Sequence, residues 1–189
     1  IRKYIEIHKK ISEAKLDGNK NLKIGYASEA IIGLDSIEEQ IRVKMKYILN
    51  RIQNKKLSNS LHEYLNKKIE KSLNKLKLKS DMEHWHIKNI KPILSQSDIG
   101  CHNTLIEGDC IKIIDFEHSG IDDLSKQLCD LLLRPGTDAN SKLVSNVINS
   151  YKEYFPDNNY YWLKRSADLE EIIKVKWSLI MISRHVKTK

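Results

Sequence analysis

Three side chains in the middle of this chain have the types and spacing that chemistry on a phosphate would need. Asp98 and Asn103 lie five positions apart in Ser97-Asp98-Ile99-Gly100-Cys101-His102-Asn103. Asp115 follows twelve positions after Asn103, in Ile113-Ile114-Asp115-Phe116-Glu117. Between them, apolar residues flank Glu107-Gly108-Asp109, which predicts two short strands folded about a turn. Such a hairpin would bring Asn103 and Asp115 to one end, with Asp98 on the loop just before it. One carboxylate could then accept the proton of a hydroxyl, while an amide oxygen and a second carboxylate hold a hard divalent cation such as Mg2+. This is the equipment of phosphoryl transfer from a magnesium nucleotide.

Each residue also has a plainer reading. Asp98 could cap a turn, Asn103 could be an ordinary turn residue, and Asp115 closes an apolar run where a carboxylate needs a reason to be. It is the combined spacing that favours the chemical reading. Glu117 could touch the metal, a water ligand or a substrate amine, or could pair with a lysine. Ser97 is expected to orient the loop, and His102 to pack or hydrogen-bond within it. His84-Trp85-His86 mimics a metal-binding pair but reads better as a packed indole between two ordinary histidines. Asp123 and Asp130 are expected to cap a helix and brace the loop.

Asp98-x-x-x-x-Asn103 followed by Asp115-Phe116-Glu117 resembles the catalytic and metal-binding loops of the aminoglycoside phosphotransferase and choline kinase superfamily, small-molecule kinases related in fold to protein kinases. The usual His-Gly-Asp-x-x-x-x-Asn of that family is departed from at Gln96-Ser97. The run from Gly120 through Asp122-Asp123 to Asp130 resembles the Gly-x-Asp-Asp-Pro segment that follows there, with Leu124 where proline is common. Ala27-Ser28-Glu29-Ala30 and the stretch from Val175 to Met181 resemble helices of the same C-terminal lobe.

The resemblance implies a kinase that uses ATP and Mg2+. Asp98 would be the catalytic base, with Asn103 and Asp115 as the metal and cofactor ligands. The acceptor would be a hydroxyl on a sugar, aminoglycoside or amino alcohol. The implied fold is mainly α with a small β-hairpin, an α+β lobe of protein-kinase-like type spanning residues 1–189. The N-terminal nucleotide-binding lobe is expected outside this chain: there is no Gly-x-Gly-x-x-Gly, and Gly18, Gly25 and Gly33 are too far apart to cover a phosphate. On that expectation the isolated chain turns over ATP poorly or not at all. The alternative is a truncated or degenerate kinase-like domain that serves as a non-catalytic binding module, a reading that the start at Ile1 rather than Met would also suit.

The bulk properties agree with one cytoplasmic domain. The chain has 189 residues, and its three cysteines lack Cys-x-x-Cys spacing, so they read as reduced thiols. No apolar run reaches the roughly 18 residues of a membrane span. Lys and Arg exceed Asp and Glu by 33 to 25, a formal charge of +8. A basic chain raises the question of nucleic acid, but the lysines are scattered over helical segments without arginine clusters or interleaved aromatics. The same basic balance makes a polycationic antibiotic a poor substrate.

Helical periodicity places the positioning elements. A short helix is predicted over residues 4–15, ending before a break at Asp17-Gly18-Asn19. A helical stretch begins at Ser28. A helix starting at Asp35-Ser36 carries the stripe Ile37, Ile41, Val43, Met45, Ile48, Leu49, Ile52, and a second long helix capped by Asn59-Ser60 carries Leu61, Tyr64, Leu65, Ile69, Leu73, Leu76, Leu78. Asp122 or Asp123 should cap a helix that runs to Leu133 and stops at Arg134-Pro135-Gly136. Asn140-Ser141 should open another, and one or two helices should fill residues 160–185.

Overall fold

The computed structural model describes residues 2–13 and 24–186. The predicted break at Asp17-Gly18-Asn19, and Gly18 with it, lies outside the described residues. Six α-helices surround two small sheets: α1 Arg2–Glu13, α2 Leu34–Leu49, α3 Lys55–Lys77, β1 Pro92–Ser95, β2 Thr104–Glu107, β3 Cys110–Ile113, β4 Gly120–Asp123, α4 Leu124–Leu133, α5 Ser141–Tyr154 and α6 Tyr161–His185. The fold is mainly helical with short strands, an α+β arrangement.

Helix α6 is the axis. Its apolar residues Leu169, Ile172, Ile173 and Leu179 meet Ile37, Ile41 and Ile48 of α2 and Leu65, Ile69 and Leu73 of α3 in one core cluster. A second cluster joins Ile5 of α1 and Leu124 and Leu128 of α4 to Val147 and Tyr151 of α5 and to Trp162 at the start of α6. The predicted stripes hold where they face α6. Val43 and Tyr64 instead point to solvent, because each sits off the buried helical face, while Leu78 is exposed just past the end of α3 and Ile52 lies beyond α2.

Local chemistry explains most helix starts. Asp123 caps α4 by accepting from the Ser125 N–H at 3.0 Å, and Asn140 caps α5 through the Leu143 N–H at 2.9 Å, both as expected. Helix α3 starts earlier than predicted. Asn54 accepts from the Leu57 N–H at 3.0 Å, which places Asn59 and Ser60 inside the helix. The stretch from Ser28 is not helical: residues 28–29 form a turn, and α2 begins only at Leu34. The cause lies in tertiary bonding. The Ala27 N–H reaches Ile121 O at 3.0 Å, Ser28 N–H reaches His118 O at 3.0 Å, and Ile31 N–H reaches the Asp122 carboxylate at 2.9 Å. Those donors are satisfied outside any helix.

The expected hairpin is present as β2 and β3, paired antiparallel from Thr104↔Ile113 to Glu107↔Cys110. A second sheet was not foreseen: β1 pairs with β4, Pro92 opposite Asp123 and Ser95 opposite Gly120. It fixes both ends of the candidate site, since β1 leads into the loop at Gln96 and β4 follows Glu117. A bridge from Tyr26 to Ile121 adds the 25–28 segment along its edge. Gly120 is required there, because a Cβ would lie closer than 3.0 Å to backbone atoms of Gly25, Tyr26 and Ala27.

A buried arginine locks these parts together. Arg165 of α6 grips the Asp123 carboxylate with two nitrogens, at 2.6 and 2.9 Å. Its remaining nitrogen donates to His84 O at 2.9 Å and Asn89 O at 3.2 Å. One side chain thereby joins α6, the start of α4 and the short turns before β1.

Candidate functional site

The loop between β1 and β2 folds as a short 3-10 turn over Cys101–Asn103, which carries Asn103 back onto Asp98. Asn103 is buried and donates its Nδ2 to Asp98 O at 3.0 Å and to Asp98 Oδ2 at 3.2 Å. Its Oδ1 takes no hydrogen bond among the described residues. The Ile114 N–H donates to Asn103 O at 3.0 Å, so Asp115 sits one residue from a direct tie to Asn103. Asp98 and Asn103 are therefore in contact. Asp115 is attached to them through backbone, with its own side chain exposed.

Two residues flanking this cluster hold left-handed backbone: Ser97 at φ 69° and Asp115 at φ 63°. That conformation costs a non-glycine residue about 1 kcal/mol or more, and such strain collects at functional sites. The surrounding bonds over-determine it. Ser97 Oγ donates to Ser28 O at 2.7 Å, tying the loop to the 25–28 segment. Gln96 is fully buried and donates its amide to Ile114 O and, at 3.3 Å, to Asp115 O. Gln96 thus stitches the start of the loop to the end of the hairpin.

Asp98 has partners that the sequence did not announce. Its Oδ1 accepts from Arg134 Nη1 at 2.8 Å, and its Oδ2 lies 3.1 Å from His102 Nε2. Arg134 also donates to Ile99 O at 2.9 Å. Partial burial opposes ionisation of Asp98, but the His102 hydrogen bond and the Arg134 charge outweigh it, and the carboxyl sits below the usual aspartate range. His102 hydrogen-bonds within the loop as expected. Glu117 is exposed, with His118 Nε2 at 3.3 Å, and reaches neither Asp98 nor Asn103. His84 and Trp85 are buried against the Asp168 carboxylate, at 2.7 and 3.0 Å, while His86 is exposed, so this trio is structural.

Beside Asp98 a charge ladder runs inward. Lys126 lies 3.1 Å from Asp122 Oδ2 and 2.8 Å from Asp130 Oδ2, and Lys176 lies 3.2 Å from Glu29 and 3.7 Å from Asp130. Both lysines are fully buried. Burial raises the Asp130 carboxyl, but Lys126 and Lys176 more than reverse this and hold it below its ordinary range. Asp122 is equally buried and has one lysine rather than two, so it is pushed up. Asp130 therefore braces the loop through Lys126, whose Nζ reaches Ser97 Oγ at 3.5 Å, rather than by capping a helix. The sequence marks Arg134 only as part of a helix stop and does not single out Lys126, Lys176 or Glu29. The i, i+4 spacing of Asp122, Lys126 and Asp130 was the available signal.

Together these residues can accept a proton at Asp98 and offer a neutral amide oxygen and a carboxylate to a hard cation. An amide oxygen and a carboxylate are the donor types that a hard cation takes, but only backbone, through the Ile114 N–H on Asn103 O, joins Asp115 to Asn103. No group of three or more His, Cys, Asp or Glu side chains placed to hold a metal occurs among the described residues. No helix among them is long and apolar enough to cross a membrane. No family model, curated protein or solved structure matches the chain.

Proposed function

We propose that this chain carries the catalytic loop and acceptor-binding half of an ATP-dependent small-molecule phosphotransferase, similar to the C-terminal lobe of the aminoglycoside phosphotransferase and choline kinase superfamily. The observation that carries this reading is the Asp98–Asn103 contact, joined to Asp115 by the Ile114 N–H on Asn103 O. Asp98 accepts the proton of the acceptor hydroxyl as its oxygen bonds to the γ-phosphorus and the bond to the leaving ADP oxygen breaks. Asn103 and Asp115 would hold Mg2+, which supplies charge neutralisation on the phosphates. The acceptor enters the polar cleft between Asp98 and α6.

Leu105, Ile106 and Phe116 support a covering partner, because all three stand exposed on or beside the hairpin. Exposed apolar side chains on both faces of β2 and at Phe116 suit contact with a second, nucleotide-binding lobe. The reading places the protein in the cytoplasm, where ATP and reduced thiols prevail. The test is MgATP-dependent phosphorylation of a panel of hydroxylated metabolites by the full-length protein, with Asp98→Asn as control. Loss of turnover by about 10²-fold or more is expected, and activity that survives the substitution removes the base assignment.

A second reading, a non-catalytic binding module, is favoured by the Arg134–Asp98 ion pair, which occupies the proposed base. Absence of turnover with every acceptor, together with retained ligand binding, would select it.

A further inference from the structure

The cleft beside Asp98 has a volume of about 270 Å³, room for a compact metabolite rather than a polycyclic one. Its charged lining is five cations, Lys44, Lys126, Arg134, Lys176 and Arg184, against three carboxylates, Glu29, Asp98 and Asp130. Asp122, behind Lys126, reduces that excess of two to one.

Every one of these carboxylates is already paired. Glu29 pairs with Lys44 and Lys176, Asp130 with Lys126 and Lys176, and Asp98 with Arg134. Arg184, exposed near the end of α6, has no ion-pair partner among the described residues. The surplus positive charge is thus concentrated at one guanidinium, on the wall of a cleft that also holds the proposed base. A guanidinium fork suits a carboxylate or phosphate, and a cationic ligand would meet an excess of its own sign. The Trp177 indole, over which Arg134 sits at 5.4 Å, gives the same cleft a flat apolar side.

We infer that the cleft takes a small hydroxylated acceptor bearing a phosphate or carboxylate, with the anion seated on Arg184 and a hydroxyl directed to Asp98. The inference rests on the phosphotransferase reading for the fate of that hydroxyl, but the anion site can be measured without ATP. Calorimetric titration of the full-length protein at low salt would use glycerol 3-phosphate, glycerate, inorganic phosphate, neutral glycerol and the diamine 2-deoxystreptamine as probes. Saturable binding of glycerol 3-phosphate or glycerate is expected, with glycerol and the diamine weaker by about ten-fold or more. Arg184→Gln should weaken the anionic probe by a similar factor, and Lys67→Gln, exposed on α3 away from the cleft, should not.

If inorganic phosphate binds as tightly as both hydroxylated anions, the site reads the charge alone and the acceptor assignment is overturned. Equal losses in the two variants would mark a diffuse surface effect and also overturn it, as would tighter binding of the diamine or no binding of either hydroxylated anion at millimolar concentration. Phosphorylation of a neutral or cationic acceptor, lost in Asp98→Asn, would overturn the anion site and leave the phosphoryl-transfer reading standing. Arg184-dependent anion binding with turnover unaffected by Asp98→Asn would do the reverse.

Discussion

Arg134 donates to Asp98 Oδ1 at 2.8 Å while its other arm faces His102 Nε2 at 3.1 Å, so two cation-capable side chains converge on the one carboxylate proposed to accept a proton. The arrangement keeps Asp98 ionised and pointed. It also weakens Asp98 as a base, since a carboxylate held below its usual range gives less driving force for proton transfer.

Replacing Arg134 by Met should therefore raise the Asp98 titration midpoint toward that of an ordinary aspartate. The folded pKa of Asp98 is depressed, so its stabilising contribution is present above the unfolded-state value and is lost as pH falls through the folded value. In the variant that contribution should be smaller, and its acid-side loss should be complete at a higher pH. Carbon-13 NMR titration of Asp98 carboxyl shifts reads the midpoint directly, and an unchanged value would show that Arg134 does not govern it.

Arg165 should be among the least replaceable side chains. Arg165→Met leaves Asp123 charged and buried with its bidentate partner gone, and also strips the donors from His84 O and Asn89 O. Breaking a buried pair in this way costs about 3–5 kcal/mol. Urea unfolding of Arg165→Met beside Arg42→Gln makes the comparison. Arg42 pairs with Glu38 and Glu70 at the surface, and its loss should cost under about 1 kcal/mol.

Gly120→Ala puts a methyl group into the backbone of residues 25–27. A cost of about 1–3 kcal/mol is expected from the forced separation, together with faster hydrogen exchange at the Ala27 and Ile121 amides that bond across it. Unchanged exchange at those two amides would mean the segment is held from elsewhere.

His8 supplies an acid-sensitive element far from the cleft. Burial pushes its pKa down to about 4, and neither ring nitrogen has a partner among the described residues. The unfolded chain then binds a proton that the folded one refuses. Stability should fall as pH drops from about 6.5 toward 4. His8→Phe should flatten that part of the stability curve. Urea midpoints at pH 7 and pH 5 test this, and an equal drop in both proteins would assign the acid sensitivity to other groups.

The helices and the β2–β3 turn could be read from sequence because their causes are local: caps at Asp123 and Asn140, apolar residues at helical spacing, and a Gly-Asp turn. The Asp98–Asn103 approach was legible for the same reason, five residues on one loop. What escaped was set by distant partners. Residues 28–33 have helical composition, yet the Ser28 and Ile31 N–H groups are claimed by His118 and Asp122, about ninety positions away. Arg134 gives no local sign that it will reach Asp98, and the β1–β4 sheet joins two four-residue strands separated by the whole hairpin.

The edge bonding of residues 25–31 to β4 makes the loop depend on chain far away in sequence. Ser28 holds Ser97, and Ile31 holds Asp122, only after chain separated by roughly seventy to ninety residues has come together. Contacts of such span carry a large loop-closure cost and slow folding. The shape of the 96–103 loop is therefore secured from outside the loop, and a chain without that docking would leave Ser97 and Asp122 without the backbone partners that hold them.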